Sequence, residues 1–322
     1  MDFNKGDSSV LVNFIYEENI KSYSRIFKTL KVMEIINFND KSLEKHSILI
    51  KLVRIITVPM LNSIPAGLLQ KVVNKSSPYG REIIARPGTT HSLEVMYTKH
   101  ERVGKSLFCK IADSFWHNII SQPKAIRNRL RIVEKFLKEE IFRRLNKSLD
   151  NINILNIGGG SSRAVIQTIS NIPLERRLYI QVSTLDRDLK ALELGQIIAQ
   201  KHLVGSAFNW INGDIRNLNH LISSSFHIVE MVGLLDYFDI RTSKVITKDI
   251  FNHLESGGAF IVANVYPNSE MKFVQHVGWP HMYYKTEEDL LAILINAGFK
   301  EQNIKMFIEP FKVHLIALAF KD

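Results

Sequence analysis

After residue 150 the chain alternates short β-branched runs (NILNIG, RLYIQVSTLD, FNWINGD, FHIVEMVG, GAFIVANV) with helix-length segments such as SRAVIQTISNI and RDLKALELGQIIAQKHL. That alternation admits few folds. Strands joined through helices run parallel, and a parallel sheet needs helices on both faces. The final segment, AGFKEQNIKMFIEPFKVHLIALAFKD, breaks the rhythm. Its two strands are linked only around Glu309–Val313, which makes them antiparallel. An α/β domain is therefore expected over residues 149–322, with a mostly parallel sheet and an antiparallel last strand.

Residues 1–148 read differently. NFIYEENIKSYSRIFKTLKVMEIINF, KSLFCKIADSFWHNIISQ and AIRNRLRIVEKFLKEEIFRRLNKSL repeat apolar residues at intervals of three and four, so a helical N-terminal cap or lid is expected. The Gly/Pro/Ser-rich SSPYGREIIARPGTTH between them is expected to be loop. The apolar stretch of residues 48–69 is interrupted by Lys51, Arg54, Pro59 and Pro65. A spanning helix needs about 20 successive apolar residues, so no integral membrane segment is expected there. An amphipathic helix and a turn packed on the core is the reading, with a lid over a substrate as the minor one.

The net charge of +10 is unevenly placed: 26 Lys+Arg face 15 Asp+Glu in residues 1–150, against 16 and 17 in residues 151–322. A basic half raises the question of nucleic acid. The lysines, however, follow helical spacing without interleaved aromatics, which favours a solvated helical surface and makes a nucleic-acid modifier the weakest reading. A single cysteine, Cys109, excludes an internal disulfide and a cysteine-based zinc site. No histidine pair has zinc spacing, so no metal is expected. With no apolar leader in MDFNKGDSSV, a cytoplasmic location is expected. The expected partner is a small-molecule substrate, with a homodimer as a further expectation.

Ligands of such sheets bind at the carboxyl ends of the strands. The first strand ends in NIGGGSSR, where Gly158, Gly159 and Gly160 precede a helix beginning near Ser161 or Ser162. Glycines there let a ligand approach the backbone and the helix N-terminal amides, or simply make a tight turn. The second strand ends at Asp186, 26 residues after Gly160, where a carboxylate can accept bonds from both ribose hydroxyls. The third leads to Asp214, placed to meet an adenine amino group or to cap a helix. A nicotinamide fingerprint would need glycine where Arg163 stands.

This set resembles the class I S-adenosylmethionine-dependent methyltransferases over roughly residues 105–322, including the Ala297-Gly298-Phe299 turn before the antiparallel strand pair. The resemblance implies a Rossmann-like sheet and S-adenosyl-L-methionine as cofactor. It implies Asn156, Gly158, Gly159, Gly160, Asp186, Arg187, Asp214, Ile215 and Val232 as its contacts. The sequence departs from the family with Asn156 in place of an acidic residue and Ser162 in place of a small glycine position. SQPKAIRNRLRIVEKFL, GLLDYF and GGAFIVANVYPN are similar to a bacterial subgroup that includes enzymes forming 3-hydroxypalmitic acid methyl ester.

Methyl transfer from a sulfonium is an in-line displacement in which positioning does most of the work. A carboxylate acceptor is already ionised and needs no base. Arg127 and Arg129 are candidates to bind it, or else they pair within their own helix. Asp236 and Tyr237 follow the fourth strand as candidate catalytic residues; the Tyr237 ring would face the sulfonium or pack on the next helix. Tyr266 and Asn268 end the fifth strand as candidate substrate contacts. His117 would serve as base for an amine or hydroxyl, though a lone histidine on an amphipathic helix is more often structural. Trp279, His281, Tyr283 and Tyr284 form an aromatic loop that either closes over a substrate or packs. The leading reading is a methyltransferase of a small bacterial metabolite. The alternative is an aminocarboxypropyl transferase or azetidine-forming cyclase releasing methylthioadenosine.

Overall fold

The β-branched runs assemble into one eight-stranded sheet in the computed structural model, which describes residues 35–98, 106–147 and 151–322. The strands are β1 (Ile36–Asn37), β2 (Ile152–Ile157), β3 (Ile180–Asp186), β4 (Phe208–Asn212), β5 (Phe226–Val232), β6 (Leu254–Val265), β7 (Ile304–Ile308) and β8 (His314–Phe320). Their order is β1-β7-β8-β6-β5-β2-β3-β4. Only β8 runs against its neighbours, pairing antiparallel with both β6 and β7. The order reverses at β2, with β3 on one side and β5 on the other. That reversal opens a crevice at the strands' carboxyl ends. Ile154, Leu155, Val229 and Phe260 are buried, as strands covered on both faces require.

The helices before the sheet's core are α1 (Ile48–Ser63), α2 (Ala66–Ser76), α3 (Pro78–Ala85), α4 (Thr90–Thr98), α5 (Leu107–Asn118) and α6 (Gln122–Leu145). The longer ones that follow are α7 (Arg163–Ser170), α8 (Leu189–Lys201), α9 (Ile240–His253), α10 (Met271–His276) and α11 (Glu287–Ala297). Residues 36–322 form one compact unit. Helix α6 carries much of its core: Ile132, Val133, Phe136, Leu137 and Ile141 all pack into the cluster that lies under β2 and β3.

Two expectations are corrected. Residues 36–37, at the end of the first periodic segment, are an edge strand and not helix; residues 13–34 of that segment lie outside the described residues. Phe38 fixes this edge by packing against Phe136 and Phe307 at 5.7 and 5.8 Å, and its amide donates to Ile308 O at 3.0 Å. SSPYGREIIARPGTTH is mostly helix, not loop. Ser77 caps α3 by accepting from the Gly80 amide at 2.7 Å, and Pro78 takes the first turn, where its missing N–H costs nothing. Gly80 stays helical because it lets Trp116 lie against the backbone; a Cβ there would overlap the indole. Only Arg86–Thr89 turns.

Candidate active site

The loop after β2 is shaped by backbone geometry that side chains would block. Gly158 and Gly160 have φ of +61° and +54°, in the left-handed region that glycine adopts without a penalty. A Cβ on Gly158 would stand 2.6 Å from Leu234 Cδ2, and one on Gly160 2.6 Å from Thr90 Oγ1. Ser162, itself left-handed at φ 54°, ends the loop as the N-cap position of α7. Its hydroxyl donates to Asn156 Oδ1 at 2.7 Å. The loop is thus a rigid cradle with close backbone access on one side.

Asp186 closes that cradle from the end of β3. Its carboxylate accepts from the Gly160 amide at 2.8 Å and from the Asp188 amide at 2.9 Å. Burial raises its pKa above the ordinary carboxylate value. Asp214, beyond β4, accepts from the Arg216 amide and pairs with its guanidinium at 2.6 Å. The Arg216 hydrogen bond holds Asp214 down at about 2, so it stays ionised. Asp186, Arg187, Asp214, Ile215 and Val232 line one cleft of about 460 Å³ with Asn156 and all three loop glycines. Every cofactor-contact candidate read from the sequence is brought together there.

The cleft floor contains a group the sequence reading missed. Glu230, in the middle of β5, is 3% exposed and accepts from Asn156 Nδ2. Desolvation pushes its pKa up to about 8, so the carboxyl is mostly protonated at neutral pH. The opposite wall was also unforeseen: Gly88 and Thr90, from the segment read as loop, and Leu93 and Tyr97, just after it, line the cleft. Helix α4 is clamped onto the glycine loop by Glu94, which pairs with Arg163 and accepts from Ser161 Oγ at 2.6 Å. Arg163, at the position where a dinucleotide fingerprint has glycine, therefore ties the helical layer to the sheet.

Behind this wall lies a smaller, mostly apolar cavity of about 80 Å³, formed by residues such as Ile83, Met96, Trp116, Phe273, Trp279 and Met282. The two spaces share Gly88, Leu93, Arg129, Gly233 and Tyr237. Arg129 is 4% exposed, its Nε has no hydrogen-bond partner, and its Nη2 makes one long bond of 3.4 Å to Tyr97 Oη. Gly233 is left-handed at φ +82°, and a Cβ there would approach Arg129 Nη1 to 3.1 Å. Asp236, also buried, is engaged by the Val265 amide at 2.6 Å. Burial pushes the Tyr237 phenol up to about 12, so it is protonated at neutral pH. His314, at the same cavity, is held neutral by desolvation and by the nearby Arg129 charge.

Other candidates are placed elsewhere. Arg127, two residues from Arg129, is turned away and committed to Glu44 at 2.6 and 2.9 Å and to Met96 O at 3.0 Å. His117 packs its ring on Tyr79 at 4.1 Å and lines neither space. Tyr266 turns toward Glu287, whose hydrogen bond raises its pKa. Asn268 accepts from Gln122 Nε2 at 3.2 Å and from the Glu270 amide at 3.0 Å, bracing the turn after β6. Tyr283 is 42% exposed and packs on His281. Of the aromatic loop, Trp279 reaches the smaller cavity.

The sheet order and the crevice at its switch point invite comparison with solved structures. An O-methyltransferase family protein from Burkholderia thailandensis superposes with a TM-score of 0.51 at 12% identity, covering 84% of this chain and 71% of that one. A provisional O-methyltransferase from Nostoc punctiforme gives 0.51 at 16% identity, covering 76% and 71%. The fold is that of the class I methyltransferases. A Bordetella parapertussis protein described only as a candidate for export gives 0.54 at 14% identity, covering 88% and 90%. No family model matches the sequence, and no curated protein matches it.

Proposed function

We propose that this chain is an S-adenosyl-L-methionine-dependent methyltransferase whose acceptor is a small, largely apolar metabolite methylated on a carboxylate. The cleft suits the cofactor in size, since small-molecule sites run about 300–1,000 Å³. Its residues suit it in kind: the left-handed Gly158 and Gly160 leave room that a Cβ would fill, and Asp186 offers carboxylate oxygens for a ribose diol. Asn156, Arg187, Asp214, Ile215 and Val232 complete the contacts. The bound cofactor supplies an electrophilic methyl group on a sulfonium.

The observation that carries the acceptor class is the junction of the two spaces. A buried guanidinium with an unpaired Nε stands there, beside a Tyr237 that stays protonated and a His314 that is a weak base. Such a site favours an acceptor that arrives ionised and binds by a charge-assisted pair to Arg129. Leu93, Trp279 and Met282 would hold its apolar remainder and exclude water, which strengthens the pair. Catalysis then comes from holding donor and acceptor in line.

The test is mass spectrometry after incubation with the cofactor and a panel of short aliphatic and aromatic carboxylic acids, amines and alcohols. S-adenosylhomocysteine together with a methyl ester is expected with the acids. Turnover confined to amines or alcohols, or release of methylthioadenosine, contradicts the proposal.

A further inference from the structure

Helix α1 is amphipathic the wrong way round for a helix at the surface of a water-soluble domain. Its inner face is fixed by polar anchors. Arg54 pairs with the buried Glu270 at 2.5 Å, while Asn62 donates to Ser269 O at 2.8 Å and accepts from the Phe273 amide at 2.9 Å. Its outer face carries Ile48, Leu49, Leu52, Ile55, Ile56 and Met60, spaced at three and four and all exposed; Ile48 and Ile56 stand 79% and 74% accessible. Only Val58 and Leu61 of this helix are buried. The apolar stripe is therefore not a failed attempt to face the core. Helix α2 turns away by 117° and extends the surface with Leu68 and Val72, 55% and 50% exposed. A patch of this kind marks an interaction surface.

Charge says what the surface meets. Between Glu44 and Glu82 the chain has no acidic residue, and Lys45, Lys51, Lys71 and Lys75 are all exposed on or beside the two helices. Two copies of so basic a face would repel one another. No single helix among the described residues is long and apolar enough to cross a bilayer, and the bend makes the pair an elbow. An apolar face rimmed by lysines suits the interface of an anionic bilayer, with the side chains in the acyl boundary and the ammonium groups among the headgroups. We propose that the α1–α2 elbow is a peripheral docking surface for anionic lipid membranes.

The full chain would be floated with vesicles of phosphatidylcholine containing about one third phosphatidylglycerol, and with vesicles of phosphatidylcholine alone. Binding to the anionic vesicles is expected to fall on the order of tenfold or more in L52E/I56E and again in K51E/K71E, and to weaken as salt rises. All four positions are exposed, so both variants should keep the wild-type circular dichroism and melting temperature. Absence of wild-type flotation overturns the proposal. So does equal binding to neutral and anionic vesicles, or wild-type binding retained by L52E/I56E. Light scattering on the same samples covers the competing occupant: a wild-type dimer that L52E/I56E converts to monomer, with no vesicle binding, makes the face a contact between copies and overturns the lipid reading.

Discussion

Replacing Glu230 by Gln should change how stability depends on pH in a direction set by the burial of its carboxyl. In the folded chain this carboxyl titrates at about 8, against an ordinary value of 4.5, because desolvation outweighs the Asn156 hydrogen bond and the Arg129 charge. Below pH 4.5 both folded and unfolded forms hold the proton and no penalty exists. As pH rises, the unfolded chain loses its proton first, so the unfolded state gains about 1.4 kcal/mol per pH unit until the folded carboxyl also ionises near pH 8. Stability is thus lost with rising pH across that window, by roughly 5 kcal/mol in all, and not further above it. E230Q carries no titratable group there, and its amide can still bond to Asn156. Urea unfolding of both proteins without ligand should show the stability difference, variant minus wild type, growing by about 4 kcal/mol between pH 5 and pH 9. Other titrating groups cancel in the difference. A difference that stays flat over this range would refute a Glu230 held protonated by burial.

Further outcomes follow from the same site. Arg129→Met should raise KM for a carboxylate acceptor by about 30-fold or more, the scale of a lost buried charge pair, while cofactor affinity changes much less; steady-state kinetics and calorimetry separate the two. Glu94→Ala leaves Arg163 without its carboxylate at a mostly buried position and should cost roughly 2–4 kcal/mol of stability, read by urea unfolding. Gly160→Ala places a Cβ 2.6 Å from Thr90 Oγ1 at a φ of +54° and should cost about 1–3 kcal/mol while weakening cofactor binding. Pairing it with Thr90→Ser, which keeps the hydroxyl, should give no rescue.

Strands β2–β8 were legible because each is an apolar, mostly β-branched run bounded by turn residues, whereas the two-residue β1 sat at the end of a helical pattern. Gly158–Gly160 and Asp186 were legible as strand ends. What escaped was set by partners far away in the chain. The helix at Pro78–Ala85 hid behind a proline and a glycine, each there for a reason visible only in the fold: a first turn, and room for Trp116. The wall made by Thr90, Leu93 and Tyr97, and the Glu94–Arg163 clamp, depend on packing across 67 and more residues of sequence. Arg127 and Arg129 look alike in a helical run, but a separation of two turns them to different sides of α6. Glu44 takes one, and the cavity receives the other. Glu230 carried no signal, since a single acid in a strand is usually read as facing water.

The cleft at the switch point is the proposed S-adenosyl-L-methionine site. Titration calorimetry of the full chain with the cofactor and with S-adenosylhomocysteine tests it most directly, run beside Asp186→Ala. Saturable one-to-one binding of both is expected, weakened about 10- to 100-fold in the variant by the loss of hydrogen bonds to a charged acceptor. Absence of binding by the wild type, or binding unchanged by Asp186→Ala, would contradict it.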